Sequence, residues 1–177
     1  DVLANSVKVF KCKFWQAYGL TETTGAVVNL PPADPALDSR NRHRLRSCGV
    51  PGPGVEVRIV DIDSADDDPR TCETGEVGEI WIQSPQVMIG YWNMPEETEK
   101  AITADGWFKS GDVGYLDADG YLYIHDRVKD MIVSGGENVY PAEVENVLMG
   151  HPAIADVAVI GVPHEKWGET ARAVGVK

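Results

Sequence analysis

The chain has 177 residues, 43% hydrophobic and 25% charged, enough for one full domain, or for one domain and part of a second, around a buried core. No apolar run approaches the roughly 20 residues that a bilayer-spanning helix needs, so a transmembrane segment is not expected. Its 28 acidic and 16 basic residues leave a net charge of -12, which would repel a polyphosphate backbone and argues against a nucleic acid partner.

Cys12, Cys48 and Cys72 are odd in number and far apart, with no Cys-x-x-Cys pair and no His at metal-ligand spacing. Neither a disulfide framework nor a zinc site is suggested, and idle thiols in a reducing compartment, the cytoplasm, are the expectation. The opening residues lack the basic head and apolar stretch of a signal peptide. A first residue other than Met and a strand-like run at the last residues suggest that both ends are cut.

In chain order, residues 7–15 alternate loosely and predict a strand running into the turn Tyr18-Gly19-Leu20-Thr21-Glu22-Thr23-Thr24-Gly25. Residues 29–54, rich in Pro, Gly, Asp and Arg, predict a long loop. Val55, Val57, Ile59 and then Val77, Ile80, Ile82 mark two strands around an acidic excursion at 61–76, where Asp66-Asp67-Asp68 reads as a turn. A short helix is predicted over 95–103, with Pro95 in its first turn and Glu96 paired with Lys100. Strands at 111–116 and 121–125 flank the turn at 117–120 and predict a hairpin. A strand at 131–133, a glycine turn, a helix from Pro141 to Met149 closed by Gly150, and strands at 157–162 and 171–176 complete the pattern.

Four segments carry candidate chemistry. Thr21-Glu22-Thr23-Thr24-Gly25 gathers hydroxyls and a carboxylate suited to phosphate oxygens and a hard cation such as Mg2+, and Tyr18 before it is suited to stacking on a base. The plain alternative is a polar turn with a capping threonine. Asp112, between glycines in Gly106-Trp107-Phe108-Lys109-Ser110-Gly111-Asp112, is suited to accepting two hydrogen bonds from a ribose diol, or is only a turn residue. Arg127 and Lys129 stand where the hairpin ends, able to meet ribose or phosphate oxygens or simply solvated. Ser134-Gly135-Gly136-Glu137-Asn138 offers backbone N–H groups or room for a thin ligand, or serves as a strand-to-helix turn with positive φ. Two permissive motifs fail: residues 115–126 put Tyr115 where a calcium loop needs its first ligand, and residues 49–54 lack the Walker Lys-Ser/Thr ending.

Taken in order, Tyr18-Gly19-Leu20-Thr21-Glu22, Gly75-Glu76-Val77-Gly78-Glu79-Ile80 with Gly90-Tyr91-Trp92-Asn93, residues 106–112 and residues 126–145 resemble the successive signatures of adenylate-forming enzymes. The resemblance covers nearly the whole chain. The wording of residues 135–145 is similar to the acyl-CoA synthetase branch, with fatty acyl-AMP ligases as the nearest alternative.

The resemblance implies an α+β chain. Residues 1–128 would be the distal part of a large AMP-binding domain, its nucleotide site and a β-barrel-like subdomain. Residues 129–177 would begin a small α+β C-terminal lid. It implies the substrates ATP, with AMP in the intermediate, a carboxylic acid and coenzyme A, and Mg2+ as cofactor. Tyr18 would stack on adenine, Thr21 bind phosphate, Glu22 hold Mg2+, Asp112 and Arg127 clasp the ribose, and Ile124 join the cofactor-binding residues. Gly19 would border the acyl pocket, Lys129 would be the hinge of the lid, and Gly135 and Gly136 would line the pantetheine path.

The chemistry suits these parts. A carboxylate is a poor acyl donor until its oxygen becomes part of a phosphate leaving group, so charge stabilisation on phosphate should dominate, and no protein nucleophile is needed. The family's glycine-rich Ser/Thr phosphate loop and its adenylating lysine motif are both absent from these residues, and Lys166 and Lys177 do not stand in that motif. The 177 residues alone are therefore expected not to adenylate. A fatty acid is the expected substrate, an aromatic acid the second choice, and a non-catalytic β-rich binding module the competing class.

Overall fold

The computed structural model describes residues 2–32, 41–65 and 67–176. Asp66 of the expected acidic turn, residues 33–40 of the expected loop, and Lys177 lie outside them.

The first element corrects the strand predicted over 7–15. Residues Val2–Phe10 form α1, and the first strand starts only at Gln16. Leu3 and Val7 stand four apart and line one recess with Leu30 and Leu45, so one helical stripe reaches apolar surface that an extended chain would meet with every second residue. Lys11, at φ 51, ends the helix in the left-handed conformation, its N–H bonded to the Val7 carbonyl at 3.1 Å.

Strands β1 (Gln16–Leu20), β2 (Gly25–Leu30) and β3 (Val50–Pro51) form an antiparallel sheet in that order. Tyr18 and Gly19 thus lie in a strand rather than in the expected turn. Pairing shifts between Tyr18, opposite Val28, and Gly19, opposite Ala26, and the bulged Val27 is fully buried. The predicted loop at 29–54 also holds a 3-10 turn, Arg42–Arg46, pinned to the later hairpin. Arg44 donates to the Tyr121 hydroxyl at 3.0 Å and to Asp119 at 2.8 Å, its guanidinium 4.2 Å above the Tyr121 ring.

A second sheet runs β4 (Glu56–Val60), β5 (Gly78–Gln83), β6 (Phe108–Leu116), β7 (Leu122–Arg127). Register pairs Val57 with Ile82 and Ile59 with Ile80. Ile80 and Ile82 are fully buried in a core with Val27, Val28, Phe108 and Leu122. Trp81, on the opposite face of β5, is also buried: Arg58 covers its ring at 4.7 Å, and its indole N–H donates to Glu79 at 2.8 Å. The β6–β7 turn is closed by Asp117, whose Oδ1 accepts from the N–H groups of Asp119 and Tyr121, both at 2.9 Å. Helix α2 (Pro95–Ala101) is shorter than expected, and Lys100 pairs with Glu97 at 2.8 Å rather than with Glu96.

The excursion between β4 and β5 folds back on Arg70, which bonds Glu76 at 2.6 Å and Asp61 at 2.8 Å. The Arg70 hydrogen bonds, helped by the Glu73 N–H, pull the Glu76 carboxyl down to about 2 from an ordinary 4.5. For an acid depressed by folding, the stabilising contribution is complete above the ordinary value and is lost as pH falls through about 2. Glu76→Gln is therefore expected to be less stable than the parent at neutral pH, with the gap closing towards pH 2, as read from urea denaturation across that range.

Chain contacts divide the protein into two units, Asp1–Ser110 with Gly114–Ile124, and Gly111–Val113 with His125–Lys177. In the second, β8 (Ile132–Ser134), β9 (Glu137–Val139), β10 (Asp156–His164) and β11 (Gly168–Val176) form a sheet ordered β10-β11-β8-β9. Strand β9 makes residues 134–137 a hairpin, correcting the expected strand-to-helix turn. Helix α3 (Pro141–Leu148) is tied at its start and its middle by carboxylates: Asp126 accepts the Ala142 N–H at 2.8 Å, and Glu145 accepts the Val159 N–H at 2.7 Å. The described chain is α+β, and none of its helices is long and apolar enough to cross a membrane.

Candidate functional site

In the first unit the candidate residues gather where β1 ends. Thr21–Thr23 make one 3-10 turn, held by the fully buried Thr23. Its hydroxyl accepts the Leu20 N–H at 2.9 Å and lies 2.8 Å from the Gly25 carbonyl, so it stitches the end of β1 to the start of β2. Thr24 follows in the left-handed region at φ 51, and its hydroxyl donates to the Gln86 carbonyl at 3.0 Å. Thr23 and Thr24 are thus spent on the backbone, which leaves the exposed Thr21 and the half-buried Glu22 as the polar face of the turn.

Glu22 is held from two sides. Its carbonyl accepts the Met88 N–H at 2.7 Å, and its Oε1 accepts the Tyr91 hydroxyl at 2.9 Å. Burial, followed by the Glu22 hydrogen bond, raises the Tyr91 hydroxyl above its ordinary value, so it is a neutral donor in the physiological range. Tyr91 is itself fixed: its N–H donates at 2.9 Å to the Thr98 hydroxyl on α2, which donates onward to the Met94 carbonyl at 2.8 Å.

Tyr18 is half-buried and packs on the core beside this turn. Gly19 has a local reason to be glycine, since a Cβ there would stand 2.0 Å from the Gly25 carbonyl oxygen. Ile124 lies on β7, 36% exposed.

In the second unit, Asp112 and Arg127 are brought together. Asp112 is 8% exposed on β6, just after Gly111 at φ 73, and the Nε of the exposed Arg127 is 3.5 Å from its Oδ1. Lys129 is exposed within a 3-10 turn, Val128–Asp130.

Gly135 and Gly136, at φ 62 and 90, are the two central residues of the β8–β9 hairpin, the setting where positive φ at both places fits the strand twist. They differ in surroundings. The Gly135 N–H donates to the Trp167 carbonyl at 3.0 Å, and a Cβ on Gly135 would be 2.5 Å from the Trp167 ring, whereas one on Gly136 would meet nothing within 4 Å. Gly135→Ala is expected to cost about 2–4 kcal/mol of stability against about 1–2 kcal/mol for Gly136→Ala, measured by thermal unfolding.

The linear motifs thus place Tyr18, Gly19, Thr21 and Glu22 side by side and Asp112 against Arg127. Thr23 fills the place of the capping threonine that the sequence offered as the plain alternative, while sequence reading missed the contact of Tyr91 with Glu22. Tyr91 stood in a quoted motif, but nothing in the linear order ties it to a residue 69 positions earlier.

A family model described as AMP-binding enzyme matches residues 1–92, and one described as AMP-binding enzyme C-terminal domain matches residues 143–177. The chain is 44% identical over 172 residues to the fatty acid–acyl-carrier-protein ligase ScoC of Streptomyces coeruleorubidus, an alignment covering 97% of this chain and 31% of that protein. It is 43% identical over 174 residues to the medium/long-chain-fatty-acid–CoA ligase FadD8 of Mycobacterium tuberculosis, covering 98% of this chain and 28% of that protein. Among solved structures, the o-succinylbenzoate coenzyme A synthetase of Bacillus subtilis in complex with ATP and magnesium ion superimposes with a TM-score of 0.80 at 38% identity, over 97% of this chain and 33% of that one. The chain spans less than a third of the length of these two curated relatives.

Proposed function

Because this chain belongs to the AMP-binding enzyme family, we propose that the protein containing it is an ATP-dependent ligase that converts a carboxylic acid, a fatty acid, to an acyl-adenylate and passes the acyl group to coenzyme A. The observation that carries this reading is the turn after β1. There the exposed Thr21 hydroxyl stands beside the Glu22 carboxylate that Tyr91 holds, within a chain that aligns over nearly its whole length with acid–thiol ligases.

Mg2+ fits this turn. Among the described residues no group of three or more His, Cys, Asp or Glu would enclose a metal, and Mg2+ is commonly held by one or two carboxylates together with substrate phosphates and water. When bound, it would neutralise charge building on the phosphate oxygens.

The residues of the chain divide the remaining work. Glu22 orients the metal, Thr21 donates to phosphate, Tyr18 stacks on adenine, Asp112 accepts from the ribose hydroxyls with Arg127 beside it, and Ile124 adds an apolar contact to the nucleotide. Gly19 borders the acyl group. Residues 1–128 belong to the large domain and residues 129–177 to the lid, which pivots at Lys129 and brings Gly135 and Gly136 to the pantetheine arm. The cytoplasm, where its thiols stay reduced, is the compartment of this reaction, and the 177 residues alone are inactive.

A second reading, transfer to a carrier-protein thiol, is favoured by the name of the ScoC relative. Mass spectrometry of products separates the two, using the full-length protein with ATP, Mg2+, a panel of fatty and aromatic acids, and either coenzyme A or an acyl-carrier protein. Fatty acyl-CoA is expected. Acyl-adenylate that persists with coenzyme A and discharges onto the carrier would select the second reading, and no product with any acid would overturn both.

A further inference from the structure

Glu22 is the sole acidic residue in the turn after β1, so the direction of its carboxylate decides what the turn can hold. A glutamate has three rotatable bonds, and leaving it free to rotate would spend binding energy on ordering it each time a ligand arrives. Here it is ordered beforehand. The Tyr91 hydroxyl reaches Oε1 at 2.9 Å, from a residue whose backbone is fastened to Thr98 and whose preceding residue, Gly90, would bring a Cβ to 2.8 Å from the Thr98 side chain. The Met88 N–H on the Glu22 carbonyl fixes the backbone from the same loop.

We propose that Tyr91 is a positioning residue for Glu22, its hydroxyl occupying Oε1 so that Oε2 is presented to the magnesium–ATP complex. The inference rests on the metal-holding role of Glu22 proposed above. Hydrogen bonds of this outer kind set the orientation of a metal ligand, and their removal commonly weakens metal binding about 10–100-fold. Neighbouring Trp92, 95% exposed, is not part of this bracket, which separates the role of Tyr91 from general packing of the loop.

The test uses the full-length protein and its Y91F, T98V and E22Q variants. Binding of Mn2+ in the presence of a non-hydrolysable ATP analogue is followed by electron paramagnetic resonance, and the Mg2+ concentration for half-maximal activity is measured in parallel. Y91F keeps the ring and loses only the hydroxyl, so about tenfold weaker Mn2+ binding is expected, with a matching rise in the Mg2+ requirement and an unchanged KM for the acid. T98V, which releases the Tyr91 backbone without touching Glu22, is expected to move the same readouts in the same direction by less, and it decides the matter if Y91F folds poorly. Mn2+ binding within twofold of the parent in Y91F, or in T98V where Y91F is unfolded, while E22Q binds it weakly, would overturn the positioning role alone. Unchanged binding in E22Q would remove the metal role of Glu22 and this inference with it.

Discussion

Replacing Glu22 with Gln in the full-length protein is expected to slow acid-dependent ATP–pyrophosphate exchange by about 10²–10³-fold, the usual cost of removing one preorganised electrostatic contact from a transition state. Glutamine matches the carboxylate in shape and still offers an oxygen to the Tyr91 hydroxyl, which lies 2.9 Å from Oε1. The turn is built on Thr23 and on the Glu22 backbone, neither of which the change disturbs, so unfolding should stay within about 0.5 kcal/mol of the parent. Activity would therefore fall without stability. A loss of less than threefold would show that the carboxylate charge is not used in the reaction.

Gly49→Ala is expected to have the largest effect on the fold, about 3–5 kcal/mol of destabilisation by urea denaturation. Gly49 sits at φ 101, and a Cβ there would stand 1.9 Å from the Asn29 carbonyl oxygen, 2.1 Å from its carbon and 2.3 Å from the Leu30 nitrogen. All three are backbone atoms of β2, so no side chain can swing aside. Relief would require β2 to retreat from the residue that also bonds Leu122, through the Gly49 carbonyl at 2.8 Å. A domain whose whole stability is about 5–15 kcal/mol would lose a large part of it. A midpoint within about 1 kcal/mol of the parent would mean that β2 and the 48–51 segment separate more easily than their packing implies.

Much of this fold could be read in advance where local pattern and tertiary need agree. Val57 and Ile59 face Ile82 and Ile80 at every second position, Asp117 supplies the turn chemistry between β6 and β7, and Pro141 opens α3, so these elements were legible. Helix α1 was not, because Leu3 and Val7 satisfy a helical stripe while the following residues alternate, and only Leu30 and Leu45 from later in the chain decide between them. Strands β3 and β9 are two and three residues long, defined by partners rather than by any periodicity of their own.

The site divides in the same way. Thr21, Glu22, Asp112 and Arg127 were recognisable from linear motifs, because each motif keeps its reactive groups within a few residues. What touches the site residues from afar was not: the Tyr91 hydroxyl on Glu22, and the Trp167 ring beside Gly135. The polar segment from Thr21 to Gly25 also held both alternatives at once, since Thr23 is the capping threonine and Glu22 remains on the open face.

Asp126 ties the end of β7 to the start of α3, one oxygen on the Arg127 N–H and the other on the Ala142 N–H, each at 2.8 Å. Lys129 lies between Asp126 and Ala142 in the chain, so a pivot at Lys129, as proposed, would have to break the Asp126–Ala142 hydrogen bond. A hydrogen bond to an ionised group contributes roughly 1.5–3 kcal/mol. That weights the latched arrangement over an unlatched one by about 10–150-fold, other contacts being equal. In the proposed pivot, a thiol acceptor that needed the other arrangement would have to supply that much differential affinity, and Asp126 would set its size.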